Sequence, residues 1–304
     1  MSTTLTKIKV ANAPCSWGAL EFELSGKPKG FERVLDEMQA SGYAGTELGD
    51  WGFMPTEPHK LKTELKQRNL QMLAAFVPVA LANTDAHADG VERAVKVAEL
   101  LAAVSDKPFV VLSDDNCKDK NRWFKAGRIT REDGMTDRQW INFVQGTHKV
   151  AREVLRRTGV RAVFHHHCAG FIETPAEIDR FLSATDPDLV GLCLDTGHYA
   201  FAGGDALDAV RKHGRRIRHV HFKDCDARIA WKSRQENWDY FKSVNGGIFC
   251  DLGKGIVPFD AITDELRRLN YEGWIVVEQD VLPGMGTPLE SAIRNRQFLK
   301  EIGL

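Results

Sequence analysis

The chain has 304 residues, 43% hydrophobic and 27% charged, with 41 Lys+Arg against 42 Asp+Glu and a formal net charge of -1. That composition suits a soluble globular protein with a sizeable core, and the balance works against affinity drawn from neutralising phosphates. No apolar run approaches the roughly 20 residues of a membrane span, and the start MSTTLTKIKVANAPCSWG lacks the apolar stretch of a secretory signal. Six cysteines are scattered with no CxxC pair, so reduced thiols in a cytoplasmic protein are expected.

Short β-branched runs alternate with longer helical patterns along the chain. Residues 8–12 (IKVAN) read as a strand, followed by Phe31, Val34, Leu35 and Met38 at helical spacing and a stop at Gly42. GTEL (45–48) is the second strand, followed by a helix through Leu61 and Leu65. QMLAAFVPV (71–79) is the third, with a helix from Gly90 to Val104. FVVLS (109–113) precedes a polar segment and a helix that opens on a capping box, Thr136 to Gln139, and stops at Gly159. RAVFHHH (161–167) is the fifth strand, with Thr174-Pro175 and Glu177 opening the next helix. VGLCLD (190–195), HVHF (219–222) and WIVVE (274–278) complete the strands, and a terminal helix is expected near 288–302.

Near-continuous apolar strands separated by helices indicate a parallel sheet covered on both faces. About eight strand–helix units, with no linker between them, predict a (β/α)8 TIM barrel forming a single domain over residues 1–304. An open doubly wound sheet has no supporting GxGxxG after the first strand.

In such a barrel the chemistry gathers where strands end. Strand two ends at Glu47, strand four at Asp114-Asp115-Asn116 and strand five at His165-His166-His167. Strand six ends in Asp195-Thr196-Gly197-His198, strand seven carries His219-Val220-His221-Phe222-Lys223-Asp224, and strand eight ends at Glu278-Gln279-Asp280. A lone strand-end histidine is ordinarily a hydrogen-bonded structural residue, and a lone aspartate a helix cap. Together, buried charges at one barrel mouth need a cation or substrate to compensate them. Mixed imidazole and carboxylate donors suit Mn²⁺, Co²⁺, Fe²⁺ or Zn²⁺. Alternation puts His165 and His167 on one face and His166 on the other, packed against a helix. It also pairs His219 with His221, the latter nearer the mouth and His219 a candidate support beneath it.

HHHCAGFIET (165–174), LDTGH (194–198), HVHFKD (219–224), NGGIFCDLGKGIVPF (245–259) and EGWIVVEQD (272–280) resemble the inosose dehydratases of the xylose-isomerase-like TIM barrel superfamily. GYAGTELG (42–49) and PLESA (288–292) fit as well, so the likeness runs over nearly the whole chain. The Asp-Thr-Gly-His and His-Val-His-Phe-Lys-Asp elements are shared with sugar epimerases. The segment 114–134 departs from the dehydratases, and such loops select substrates. The resemblance implies a metal held by His165, Asp195, His221 and Glu278, with His167 the rival for the first ligand and otherwise a substrate contact. Mn²⁺ or Co²⁺ comes first, with Zn²⁺, Fe²⁺ and Mg²⁺ as alternatives. The implied substrate is a small keto-polyol, 2-keto-myo-inositol (scyllo-inosose), which loses water to give a trihydroxycyclohexane-dione. No nucleic acid or membrane partner is expected, and homo-oligomerisation is left open.

Elimination needs a base for the proton beside the ketone and an acid for the departing hydroxyl. His198, three residues past Asp195, is the first choice for that work. Glu173 is a second candidate, and Lys223 a donor to the enolate oxygen. Trp17 is read as an apolar wall against the substrate ring or a barrel cap, and Glu47 as a substrate contact. The aromatic segment after His221, with Trp231, Trp238, Tyr240 and Phe241, is read as a lid, a dimer contact or a surface excursion. Gly253-Lys254-Gly255 lacks the spacing and context of a phosphate loop. The rivals are a keto-sugar epimerase or isomerase, a dehydratase of another keto-sugar, a non-catalytic sugar binder, and a phosphodiester-cleaving enzyme drawing on the basic stretch Lys118, Lys120, Arg122, Lys125, Arg128 and Arg131.

Overall fold

A computed structural model describes residues 8–18, 30–281 and 285–304. The strands are β1 (Lys9–Asn12), β2 (Gly45–Thr46), β3 (Gln71–Met72), β4 (Ala74–Val79), β5 (Phe109–Asp114), β6 (Arg161–His165), β7 (Val190–Asp195) and β8 (Ile217–Phe222), then β9 (Asp224–Cys225), β10 (Phe249–Cys250) and β11 (Trp274–Val277). The helices are α1 (Phe31–Ala40), α2 (Pro58–Gln67), α3 (His87–Val104), α4 (Lys120–Phe124), α5 (Asp137–Thr158) and α6 (Pro175–Ala184). They continue with α7 (Thr196–Phe201), α8 (Ala206–His213), α9 (Ala227–Gln235), α10 (Tyr240–Asn245), α11 (Phe259–Arg268) and α12 (Pro288–Glu301).

The sheet runs β3-β2-β1-β11-β8-β7-β6-β5-β4, and each neighbouring pair is parallel. Its two edges, β3 and β4, are one stretch of chain broken only at Leu73, whose N–H reaches Thr46 and whose carbonyl takes the Phe109 N–H. The sheet therefore closes on itself as an eight-stranded barrel, and the third predicted strand, 71–79, is the seam. β9 and β10 form a separate antiparallel pair above it.

Strand alternation sorts the core into two layers. Ala11, Leu73, Ala74, Val111, Val163, Cys193 and Val276 form the small cluster inside the barrel, while Val10, Val110, Phe164, Leu192, Val220 and Ile275 pack against the helices. Both sides of most strands are thus apolar, which is why they read as near-continuous hydrophobic runs, while β8 turns His219 and His221 inward. The capping boxes at Thr136–Gln139 and Thr174–Glu177 form as the sequence predicts, and Gly159 closes α5 in the left-handed region at φ 74°.

Candidate metal centre and catalytic pocket

Two residues above the inner apolar layer, alternation brings polar side chains to the same face. Val163 is followed by His165, Cys193 by Asp195, His219 by His221 and Val276 by Glu278. Register sets Asp195 beside His221, His165 beside Cys193, and Val276 beside His221. One donor atom from each of His165, Asp195, His221 and Glu278 lies within 4.8 Å of the others. His165 Nε2 is 3.6 Å from Asp195 Oδ2, and His221 Nδ1 is 3.2 Å from Glu278 Oε1.

The donor set fits a divalent cation. Both ring nitrogens of His165, Asp195 Oδ2 and His221 Nδ1 are buried without a hydrogen-bond partner. One His165 nitrogen, Asp195 Oδ2 and His221 Nδ1 converge on one point, and three such orphans would cost several kcal/mol if nothing compensated them. Two imidazole nitrogens and two carboxylate oxygens in one shell suit Mn²⁺, Co²⁺, Fe²⁺ or Zn²⁺.

The Asp-Thr-Gly-His element has a defined job at each position. Asp195 Oδ1 caps α7 by accepting the His198 N–H at 2.8 Å, leaving Oδ2 to the shared point. Thr196 Oγ1 donates to the Lys223 carbonyl at 2.7 Å. Gly197 has no alternative, because a Cβ there would stand 2.6 Å from Lys223 Cγ.

Above the four donors lies a cavity lined by Cys15, Glu47, Asp50, Phe76, His165, His167, His198, Lys223, Tyr240, Phe241, Val244, Glu278 and Asp280, among others. The His167 and His198 rings lie 3.9 Å apart, centroid to centroid. His167 Nδ1 donates to the Cys168 carbonyl, while His198 Nδ1 accepts the Cys168 N–H at 3.3 Å. The Tyr240 hydroxyl meets His167 Nε2 at 3.3 Å. Burial pushes both imidazoles well below their ordinary range, so both rings are neutral.

Lys223 Nζ lies 3.5 Å from Glu278 Oε2 and 3.5 Å from Asp280 Oδ2. Burial alone would lower its pKa, but Asp280, Glu278 and Asp195 raise it, and the ammonium stays charged. Glu47 is 4% exposed, and its Oε1 is committed to His219 Nε2 at 2.7 Å and His221 Nε2 at 2.9 Å. Burial opposes its ionisation, yet His221 and His219 hold its carboxyl well below the usual range. Its Oε1 is turned to the two imidazoles beneath the donors, while the residue also lines the cavity, where the expected substrate contact would be made. His166 points outward, as alternation requires, and packs against Tyr199 of α7.

Two expected site residues sit elsewhere. Trp17 lies in the 3-10 turn after β1, buried, with its indole N–H donating to Glu37 of α1 at 2.6 Å; it is a cap, not a ring wall. Glu173 is anchored away from the cavity, because its two oxygens accept the Gly127 N–H at 2.7 Å and the Ala169 N–H at 2.8 Å. Conversely, Phe76, Asp280, Tyr240 and Phe241 line the cavity without having been singled out for it. Phe76 carried no signal and Asp280 one in the polar end of strand eight, whereas Tyr240 and Phe241 carried one in the aromatic segment after His221. That segment folds as α9 and α10 and forms one wall of the cavity.

The basic stretch is partly held by the fold, although Lys118, Lys120 and Arg131 are exposed. Arg122 is fully buried and pairs with both oxygens of Glu177, Lys125 pairs with Asp133, and Arg128 donates to the Ser233 and Trp238 carbonyls. The Gly253 and Gly255 N–H groups clasp Asp224 Oδ2 at 2.9 and 2.8 Å, a local clamp rather than a phosphate loop. Among the described residues, no helix is long and apolar enough to cross a membrane.

A closed parallel barrel with donors on its last four strands defines the class, and the chain belongs to the xylose isomerase-like TIM barrels, whose family model matches residues 35–302. Within that class its family is that of the inosose dehydratases. It is 31% identical to the inosose dehydratase of Geobacillus thermodenitrificans (strain NG80-2) over 97% of both chains. In fold it is similar to a probable 3-DHS dehydratase, AsbF, involved in petrobactin synthesis in Bacillus anthracis. That match has a TM-score of 0.71 at 16% identity and covers 96% of this chain and 98% of that one. It is also similar in fold to the IOLI protein with a bound zinc atom, at a TM-score of 0.68, 16% identity and 97% coverage of each chain. The chain is a hydro-lyase by family.

Proposed function

We propose that this enzyme removes water from a cyclic keto-polyol, with 2-keto-myo-inositol (scyllo-inosose) as its substrate and a trihydroxycyclohexane-dione as its product. The observation that carries this reading is the Cys168 peptide group, which serves two histidines at once. Its carbonyl takes the Nδ1–H of His167, so the lone pair of that ring is at Nε2. Its N–H fills Nδ1 of His198, so the proton of that ring is at Nε2. One neutral ring is thereby prepared as a base and its neighbour as an acid.

The two rings, 3.9 Å apart, attend one face of a bound ring. An elimination can use both on one face, whereas inversion at carbon needs proton donor and acceptor on opposite faces. His167 Nε2 takes the proton beside the ketone, and the freed electron pair forms the enolate. The pair then moves to make the carbon–carbon double bond as the neighbouring C–O bond breaks. His198 Nε2–H supplies the proton with which the hydroxyl leaves as water. Lys223 donates to the enolate oxygen, and Tyr240 and Phe241 exclude bulk water from that step. His165, Asp195, His221 and Glu278 would hold Mn²⁺ or Co²⁺, which when bound acidifies the C–H beside the ketone. All six cysteines are free thiols, in keeping with work in the cytoplasm.

The test is product analysis with purified, Mn²⁺- or Co²⁺-loaded protein and scyllo-inosose. A product lighter by one water, with ultraviolet absorption, is expected, and His167→Ala and His198→Ala should each lower kcat by about 10²–10⁴-fold. A stereoisomer of unchanged mass would assign the site to epimerisation instead.

A further inference from the structure

Beneath the four metal donors lies a second polar layer that the proposed reaction does not use. Glu47, at the end of β2, and His219, one alternation step below His221 on β8, are both buried. A single oxygen of Glu47 meets the Nε2 atoms of both histidines, at 2.7 Å for His219 and 2.9 Å for His221. Glu47 follows β2 and both histidines lie on β8, with β1 and β11 between the two strands, so the curvature of the barrel wall is what turns the three side chains toward one another.

We infer that Glu47 is a positioning residue that fixes the tautomer and the orientation of His221 for metal binding, with His219 holding Glu47 in place. The inference rests on the metal reading of the site above. A carboxylate oxygen accepts and does not donate, so both rings carry their protons at Nε2. His221 then presents a bare Nδ1 to the point shared with His165, Asp195 and Glu278, and Nδ1 is the atom left without a hydrogen-bond partner. Without the Glu47 acceptor, the His221 proton is free to sit on Nδ1, which blocks ligation. A carboxylate behind a ligating imidazole also makes the ring a stronger donor. His219 completes the arrangement, since its own N–H occupies the same Glu47 oxygen from below and keeps the carboxylate from turning away from His221.

The same layer contains a second group of potential ligands, Cys193, His219 and His221, whose donor atoms also lie within 4.8 Å of one another. Two features argue for hydrogen bonding there and against a second cation. The 2.7 and 2.9 Å contacts to Glu47 are hydrogen-bond lengths, shorter than the about 3.3 Å that separates neighbouring ligands around a tetrahedral zinc. Moreover, Glu47 already accepts from both imidazoles, so neither Nε2 is left with a lone pair for a metal. The layer is therefore a support for one metal site, and the chain binds one equivalent.

Three measurements test this. Manganese binding to the metal-free protein, followed by electron paramagnetic resonance, is expected to saturate at one equivalent. Glu47→Leu should weaken it by about 10–100-fold, and Glu47→Gln, which keeps an acceptor oxygen, should recover most of that loss. In ¹⁵N-histidine spectra of the Mg²⁺- or Zn²⁺-loaded wild type, His221 should carry its proton at Nε2, a readout independent of turnover and of any variant. Glu47→Leu and Glu47→Gln binding manganese as tightly as wild type, or His221 protonated at Nδ1, would overturn the inference while leaving the metal site intact. A second equivalent that disappears in Cys193→Ser would overturn it in favour of a lower metal site. Failure of the wild type to bind manganese, cobalt or zinc would sink the metal reading itself.

Discussion

Glu173 shows how a single side chain records the cost of the loop it secures. Its carboxylate joins the backbone at Gly127 to the backbone at Ala169, and burial, offset in part by Arg122 and those two N–H groups, raises its pKa to about 7. A raised carboxyl pKa means that the folded protein holds the proton more tightly than the unfolded chain does. Its stabilising contribution is complete below the ordinary value of 4.5 and is lost as pH rises through about 7. Over that window the loss is on the order of 3 kcal/mol. Denaturant titrations at pH 5, 6, 7 and 8 should show the wild type losing stability toward pH 8 relative to Glu173→Gln, which cannot ionise; parallel pH curves would refute this. At this scale the sequence revealed residue types at strand ends and, by alternation, that His165 shares a face with His167, and His219 with His221 and Lys223. The set His165, Asp195, His221 and Glu278 came from the family resemblance, and His198 from its spacing to Asp195. The sequence did not reveal that Glu173 points at backbone N–H groups or that Trp17 reaches Glu37. Those outcomes depend on how loops from distant parts of the chain meet, and no local period encodes that.

The elements that were legible are the ones buried on both sides or strongly capped. Strands such as Val190–Asp195 read clearly because every residue is buried, and the Thr136 and Thr174 helix starts because a capping box is a local, reciprocal hydrogen-bond pattern. The short helices that shape the mouth were not legible as helices. α4 has 5 residues, α9 has 9 and α10 has 6, and each is capped by an aspartate but too short to show a period. They are fixed instead by arginines reaching across loops. Arg234 donates to the Gly127 carbonyl at 3.1 Å and to the Phe201 carbonyl at 2.9 Å, tying α9 to the opposite side of the mouth. Arg234→Ala should therefore loosen the wall that carries Tyr240 and Phe241. The expected result is a KM raised on the order of tenfold, the equivalent of one charge-assisted hydrogen bond, with faster proteolysis between 223 and 250 and unchanged manganese stoichiometry. An unaltered KM together with unaltered proteolysis would show that this wall does not depend on the clamp.

For the molecule as a whole, the barrel gathers its charge cost in one place. Four neighbouring strands each carry a donor at or just past their ends, and orphaned atoms of His165, Asp195 and His221 converge with Glu278 where β6, β7, β8 and β11 meet. A cation bound there interacts only with the closed barrel, since unfolding separates donors drawn from residues 165 to 278. Binding should then act as a fold stabiliser by mass action. At a free metal concentration one hundred times Kd the gain is about 2.7 kcal/mol. With an unfolding entropy of about 2.1 cal/mol/K per residue over 304 residues, that corresponds to a Tm higher by about 4 °C. Calorimetry of chelator-treated protein, with and without added manganese, should show this rise. Asp195→Asn is the sharper comparison, because asparagine keeps the oxygen that caps α7 through the His198 N–H while removing one ligand charge. Its metal-free Tm should stay near or above that of the wild type, relieved of a buried charge, while its manganese-dependent rise should largely vanish. A wild-type Tm indifferent to manganese, cobalt and zinc would mean that the four donors are compensated in some other way.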